Sequence, residues 1–127
     1  MTDRPELSKG EMEVARVLWE LGQATVREVH EAFPEDRKID FATVQTYLRR
    51  LETKGYISGK LVARTRVYSP KVQPRKVIGR TIDDLIDRLF GGEALPLMRH
   101  LIEERGLTPD DLTELRKLID GMDHEGK

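Results

Sequence analysis

Residues 40–70 read DFATVQTYLRRLETKGYISGKLVARTRVYSP, and two periodicities meet inside this stretch. In its first half, Val44, Tyr47, Leu48 and Leu51 recur at the spacing of one helix face. That spacing predicts a helix over about 41–54, with Asp40 at its N-cap and Gly55 just past its end. After Gly55 the period falls to two. Residues 56–61 and 65–69 predict two short strands, with Val62, Ala63 and Arg64 as the turn between them.

Upstream, two helix starts are marked by the same device. Ser8 to Glu11 and Thr25 to Glu28 each have the spacing of a capping box, in which a hydroxyl and a carboxylate satisfy each other's backbone amides. The first box opens a helix with Val14, Ala15, Val17, Leu18, Trp19 and Leu21 on a broad apolar face, ended by Gly22. The second opens a short helix through Val26, Val29, Ala32 and Phe33, ended by Pro34, with a charged loop at 34–40. Three helices and a hairpin in this order predict a winged helix-turn-helix over residues 1–73.

Downstream of Pro70 and Pro74 the helical period returns. Helices are predicted over about 75–90, 93–105 and from Thr108-Pro109-Asp110-Asp111 onward, with residues 121–127 fraying. Gly91-Gly92 breaks the first from the second, and Pro96 is tolerable because it falls in a first turn. The fold class is therefore mainly α with a small β-hairpin wing: an N-terminal winged helix, then a three-helix region over 74–127. Three short helices cannot enclose an independent core, since chains below about 60 residues fold alone only marginally. The stripe Ile78, Ile82, Leu85, Ile86 and Leu89, with Leu97, Leu101 and Leu115 behind it, is expected to pack on a second copy of the chain.

Charge is distributed in the same pattern. The net charge of the 127 residues is -1, yet residues 41–71 hold seven Lys/Arg against Glu52 alone, a local +6. Residues 1–40 are at -4 and residues 72–127 at -3. A basic island in an acidic chain calls for an anionic partner, here double-stranded DNA. Ala42, Thr43, Gln45, Thr46, Arg49 and Arg50 lie on the predicted outer face of the third helix. These residue types hydrogen-bond base edges, meet a thymine methyl or grip phosphate. Lys60, Arg64 and Arg66 on the hairpin would reach the flanking backbone, and Thr25 with Arg27 at the start of the second helix would anchor a phosphate. A Thr/Gln/Arg face is ordinarily a solvated surface; its coincidence with the basic island is what selects the DNA reading. The alternative is a helical adaptor whose basic segment docks an acidic protein.

Other classes find no support. The chain has no Cys, which excludes disulfides, Cys-ligated zinc, iron–sulfur clusters and thiol catalysis. His30, His100 and His124 stand at no ligand spacing, so no metal or other cofactor is expected. Phosphate loops, nucleophile elbows and HExxH are missing, and no enzyme activity is expected. No apolar run approaches the ~18 residues of a membrane helix, and no h-region follows Met1, so a cytoplasmic location without membrane insertion is expected.

The motifs also carry a resemblance. Leu7, Ser8, Glu11, Val14 and Leu18-Trp19, then Thr25-Val26-Arg27-Glu28-Val29, then Thr43-Val44-Gln45-Thr46 with Leu48, Arg50-Leu51 and Lys54-Gly55 form the first part. Tyr68-Ser69-Pro70 and Leu107-Thr108-Pro109-Asp110-Asp111-Leu112 complete it. Over about 7–120 the chain resembles the penicillinase-repressor family, of the BlaI/MecI type with a copper-responsive sister branch. The resemblance implies a cytoplasmic homodimeric repressor on palindromic operators. It also implies a regulatory protease, acting in the second C-terminal helix; the pair cleaved in the β-lactam-responsive branch aligns with His100-Leu101, where the family has Asn-Phe. The sister branch senses metal through a Cys pair that this chain lacks.

Overall fold

A computed structural model describes residues 4–125, and side chains over 4–123. Helix α1 spans Lys9–Leu21, α2 Val26–Ala32 and α3 Phe41–Thr53, with a 3-10 turn at Glu35–Arg37 between the last two. Both expected capping boxes are closed. The Ser8 hydroxyl accepts from the Glu11 amide at 3.2 Å while the Glu11 carboxylate accepts from the Ser8 amide at 2.9 Å. Thr25 and Glu28 repeat the exchange at 3.1 and 2.8 Å. Asp40 occupies the N-cap of α3 but makes no side-chain capping bond. Val14, Leu18, Val29, Val44, Leu48, Leu51 and Ile57 interlock as a single core from which water is excluded.

The hairpin differs from expectation at its turn. Strand β1 is Ile57–Val62 and β2 is Thr65–Pro70, antiparallel, with Val62 opposite Thr65. Val62 therefore belongs to the strand, and the turn has two residues, Ala63 and Arg64. Both are left-handed, at φ 50° and 69°. Such a turn matches the right-handed twist of the strands, so the chain accepts the conformation without the Asn-Gly that usually supplies it. A third strand position is added by Ala24, which exchanges backbone hydrogen bonds of 2.9 and 2.8 Å with Tyr68. This bridge ties the base of the wing to the residue preceding the α2 cap.

The chain divides into two compact units between Ile78 and Gly79. Helix α4, Pro74–Phe90, begins in the first unit, where Val77 completes the core. The second unit continues through α5, Ala94–His100, and α6, Pro109–Glu125. The expected helix over 93–105 is thus not uniform: from Leu101 to Gly106 the chain is wound as a π-helix. Its side chains are exposed except for the half-buried Leu101, so no packed face enforces the α register. The start of α6 is closed by Thr108 and Asp111, whose side chains accept from each other's amides at 3.1 and 3.2 Å. The helix runs on through Gly121 to Glu125, so the expected fraying from residue 121 is not found; Gly126, Lys127 and the His124 side chain lie outside the description.

Candidate nucleic-acid interface

Helix α3 is amphipathic, and its buried side fixes what its other side presents. Val44, Leu48 and Leu51 are fully enclosed. That sets Ala42, Gln45, Thr46 and Arg49, spaced i, i+3, i+4, i+7, in one outward stripe. Ala42, Gln45 and Arg49 are exposed, whereas Thr46 is half-buried and donates its hydroxyl to the Ala42 carbonyl at 3.0 Å. The Thr46 methyl and oxygen lone pairs remain for an outside partner. Thr43 lies on the flank of the stripe, in a polar cleft with Lys9, Gly10 and Glu13 of α1. Tyr47, expected as core, is only half-buried. Its ring lies against Gly10, where a Cβ would come within 2.4 Å of the ring, and Arg50 sits over it at 5.9 Å from the centroid.

The seven cations of the basic segment have different fates. Lys54 turns inward and binds the Glu11 carboxylate at 2.6 Å and the Glu6 carbonyl at 2.8 Å. Glu11 is fully buried. Burial opposes its charge, but the Lys54 ammonium and the Ser8 amide and hydroxyl outweigh that and hold the carboxyl below its usual range. Arg66, expected to face DNA backbone, instead runs back along the wing. It crosses Gly59, packs 5.8 Å from the Tyr68 ring centroid and pairs with Glu52 of α3. Among the described residues Arg49, Arg50, Lys60, Arg64 and Lys71 make no ion pair, and all five are exposed. Arg27 is exposed on α2, while the Thr25 hydroxyl is engaged in its cap. Positive charge is thereby concentrated on the outer face of α3 and at the wing tip, with Glu52 the acid between them.

Three residues that matter to this geometry carried no signal of their own: Glu52, Gly59 and Ala24. Only the antiparallel register sets Gly59 opposite Tyr68 and leaves a notch for the Arg66 side chain.

A profile of the penicillinase repressor family matches residues 7–121. The chain belongs to that family. Penicillinase repressors act on transcription and are not enzymes. The penicillinase repressor of Bacillus licheniformis is 24% identical over 116 residues, covering 91% of each chain. The methicillin resistance regulatory protein MecI of Staphylococcus aureus strain N315 is 25% identical over 114 residues, covering 90% of this chain and 93% of its own. The solution structure of the DNA-binding domain of the repressor BlaI superposes with a TM-score of 0.51 and 30% identity, over 58% of this chain and 90% of that domain. The winged-helix fold expected from three helices followed by a hairpin is thus the fold observed. Among the described residues no helix is long and apolar enough to cross a membrane, and no His, Asp or Glu cluster could hold a metal ion.

Proposed function

We propose that this penicillinase-repressor family member is a cytoplasmic, sequence-specific DNA-binding repressor that works as a homodimer on two-fold symmetric operators. The observation that carries the reading is the sorting of the basic island. Lys54 and Arg66 are held by carboxylates, whereas Arg49, Arg50, Lys60 and Arg64 project from the outer face of α3 and the wing tip. In this reading α3 enters the major groove. Gln45, Thr46 and Ala42 meet base edges; Thr43, Arg49 and Arg50 meet bases or phosphates. Lys60 and Arg64 grip the flanking backbone, and Thr25 with Arg27 at the start of α2 meets a phosphate.

Dimerisation through residues 74–127 is supported by the second unit's surface. Beyond Val77 none of the described side chains is fully buried. Ile78, Ile82, Leu85 and Leu89 of α4 are exposed, Leu89 by 73%, and Ile86, Leu97, Leu101 and Leu115 are only half-buried. Dimerisation places two α3 helices about one DNA turn apart, 10–10.5 bp between half-site centres or a multiple of it. Relief of repression by a regulatory protease is the further part of the reading. His100 ends α5 and Leu101 starts the π-helical segment, so the aligned pair sits at a change of helical winding.

Selection from a random duplex library with the full chain tests the proposal. A two-fold symmetric sequence should be enriched and bound at least about 10³-fold more tightly than random duplex at physiological salt. Enrichment of no sequence, or equal binding to all of them, rejects it.

A further inference from the structure

We propose that Arg66 is a positioning residue: with Glu52 and Gly59 it forms a brace that sets the angle of the wing against α3, and it does not itself grip DNA. The inference rests on the DNA-binding reading above and changes the role of one residue within it.

The geometry begins at the register of the hairpin. Arg66 stands opposite Leu61 and Gly59 stands opposite Tyr68, so Gly59, Arg66 and Tyr68 share one face of the ribbon. A Cβ on Gly59 would lie 2.6 Å from the Arg66 Nε and 2.9 Å from its Cζ. The Arg66 side chain therefore lies flat in a notch that only glycine leaves open. Its guanidinium also lies over the Tyr68 ring, 5.8 Å from the centroid. Lying this way, it delivers its Nη2 to the Glu52 carboxylate, 14 residues back in the chain. Glu52 is in the last turn of α3, where a carboxylate is disfavoured by the helix dipole unless a cation accompanies it. Each partner thus has a local reason to hold the other.

The consequence is mechanical. The outer half of the hairpin, from Lys60 to Arg64, is exposed and lies beyond the Ala24–Tyr68 bridge, so its own backbone pairing does not fix its angle to α3. The ion pair joins the wing directly to the helix that carries the reading stripe. With the brace in place, Lys60 and Arg64 and the outer face of α3 are presented as one surface. A guanidinium already lying in a notch and paired to a carboxylate is poorly placed to neutralise a phosphate as well.

The two roles differ in the sign of one effect. If Arg66 gripped phosphate, Glu52→Ala would release it, remove a negative charge from the DNA-facing side and tighten binding. If Arg66 braces the wing, Glu52→Ala weakens binding although it makes the surface more positive. Operator affinity is measured by fluorescence anisotropy for the full chain and for Glu52→Ala, Arg66→Ala, the double variant, the charge-reversed pair Glu52→Arg with Arg66→Glu, and Gly59→Ala. An exposed pair contributes little to global stability, and the group a Cβ at Gly59 meets is the end of a flexible side chain, so these variants remain folded. Each single variant should lose about tenfold, the double variant no more than either single, and the reversed pair should regain most of the loss. Tighter binding by Glu52→Ala, or additive losses in the double variant, overturns the brace. Residual dipolar couplings of the DNA-free protein read the same brace without DNA. Arg66→Ala should rotate the hairpin relative to α3, and unchanged couplings overturn the proposal. Failure of the unsubstituted chain to prefer any duplex would instead reject the DNA reading, and the couplings would still decide the brace.

Discussion

Glu11 does two jobs with one carboxylate. It closes the capping box of α1 and it neutralises Lys54, 43 residues away, at the far end of α3. The cap was readable because it depends on a spacing of three residues; the ion pair was not, because it depends on how two helices pack. The pair is largely shielded, with the Glu11 side chain 2% and that of Lys54 24% exposed. Removing the ammonium leaves a buried carboxylate without its counter-ion. Lys54→Ala should therefore cost about 3 kcal/mol, read from urea unfolding. A loss below about 1 kcal/mol would show that the capping bonds alone satisfy Glu11. The pair also imposes a pH dependence. The carboxyl of Glu11 titrates below its ordinary value of 4.5 when folded, so its stabilisation is complete above that pH and is lost as pH falls through the lowered value. Unfolding followed by circular dichroism should show stability declining on acidification below about pH 4.5. Glu11→Gln should flatten that decline, and an unchanged acid limb would remove Glu11 from the account.

At the scale of elements, the wing turn stores strain where the DNA contact is proposed. Ala63 and Arg64 both adopt positive φ, which side chains other than Gly and Asn accept at a cost of about 1–3 kcal/mol. Ala63→Asn should raise stability by about 1 kcal/mol and leave the salt dependence of DNA binding alone. Arg64→Gly should raise stability too, but lower the log–log salt slope by about one unit, because it deletes a wing-tip cation. Thermal melts and binding titrations from 50 to 200 mM salt would check both. A stability gain with an unaltered slope in Arg64→Gly would mean that the wing tip does not touch the phosphate backbone.

For the whole molecule, the proposed dimer makes affinity depend on two wings held together. A single wing domain should bind at roughly the non-specific level, with Kd near 10⁻⁴–10⁻⁶ M, and tethering makes the second half-site contact intramolecular. Because Val77 is part of the first core, the smallest intact wing fragment ends near Ile78 and not at the linker prolines. Residues 1–78 should sediment as a folded monomer and the full chain as a dimer; a dimeric fragment would move the interface into the wing domain. Within the second unit Gly91 and Gly92 have φ of 62° and 88°, and the chain from there through Pro96 to His100 is exposed except for the half-buried Leu97. Local opening should be easiest in this stretch. Limited proteolysis is expected to cut first between about Gly91 and Leu101 and to release the operator, because the halves are no longer tethered. A first cut in the wing or in loop 34–40, or a 1–92 fragment that binds as tightly as the intact chain, would contradict this route to induction.

Much of this was written in short-range pattern. The caps at Ser8, Thr25 and Thr108, the buried stripe of α3 and the change of period after Gly55 are local rules, obeyed within four residues or along one strand, so the fold class follows from the chain alone. The same holds for the basic island as a count of charges. Its use does not follow. Whether Lys54 or Arg49 faces outward depends on which helix packs behind α3, and whether Arg66 reaches Glu52 depends on the register that opens a notch at Gly59. The Ala24–Tyr68 bridge is likewise a matter of pairing between distant segments. Sequence determined which elements form and where charge accumulates, because propensity and amphipathicity act over one or two turns. Only the tertiary structure decided which cations are neutralised from within, because an ion pair exists only once two segments far apart in the chain have been brought together by the core.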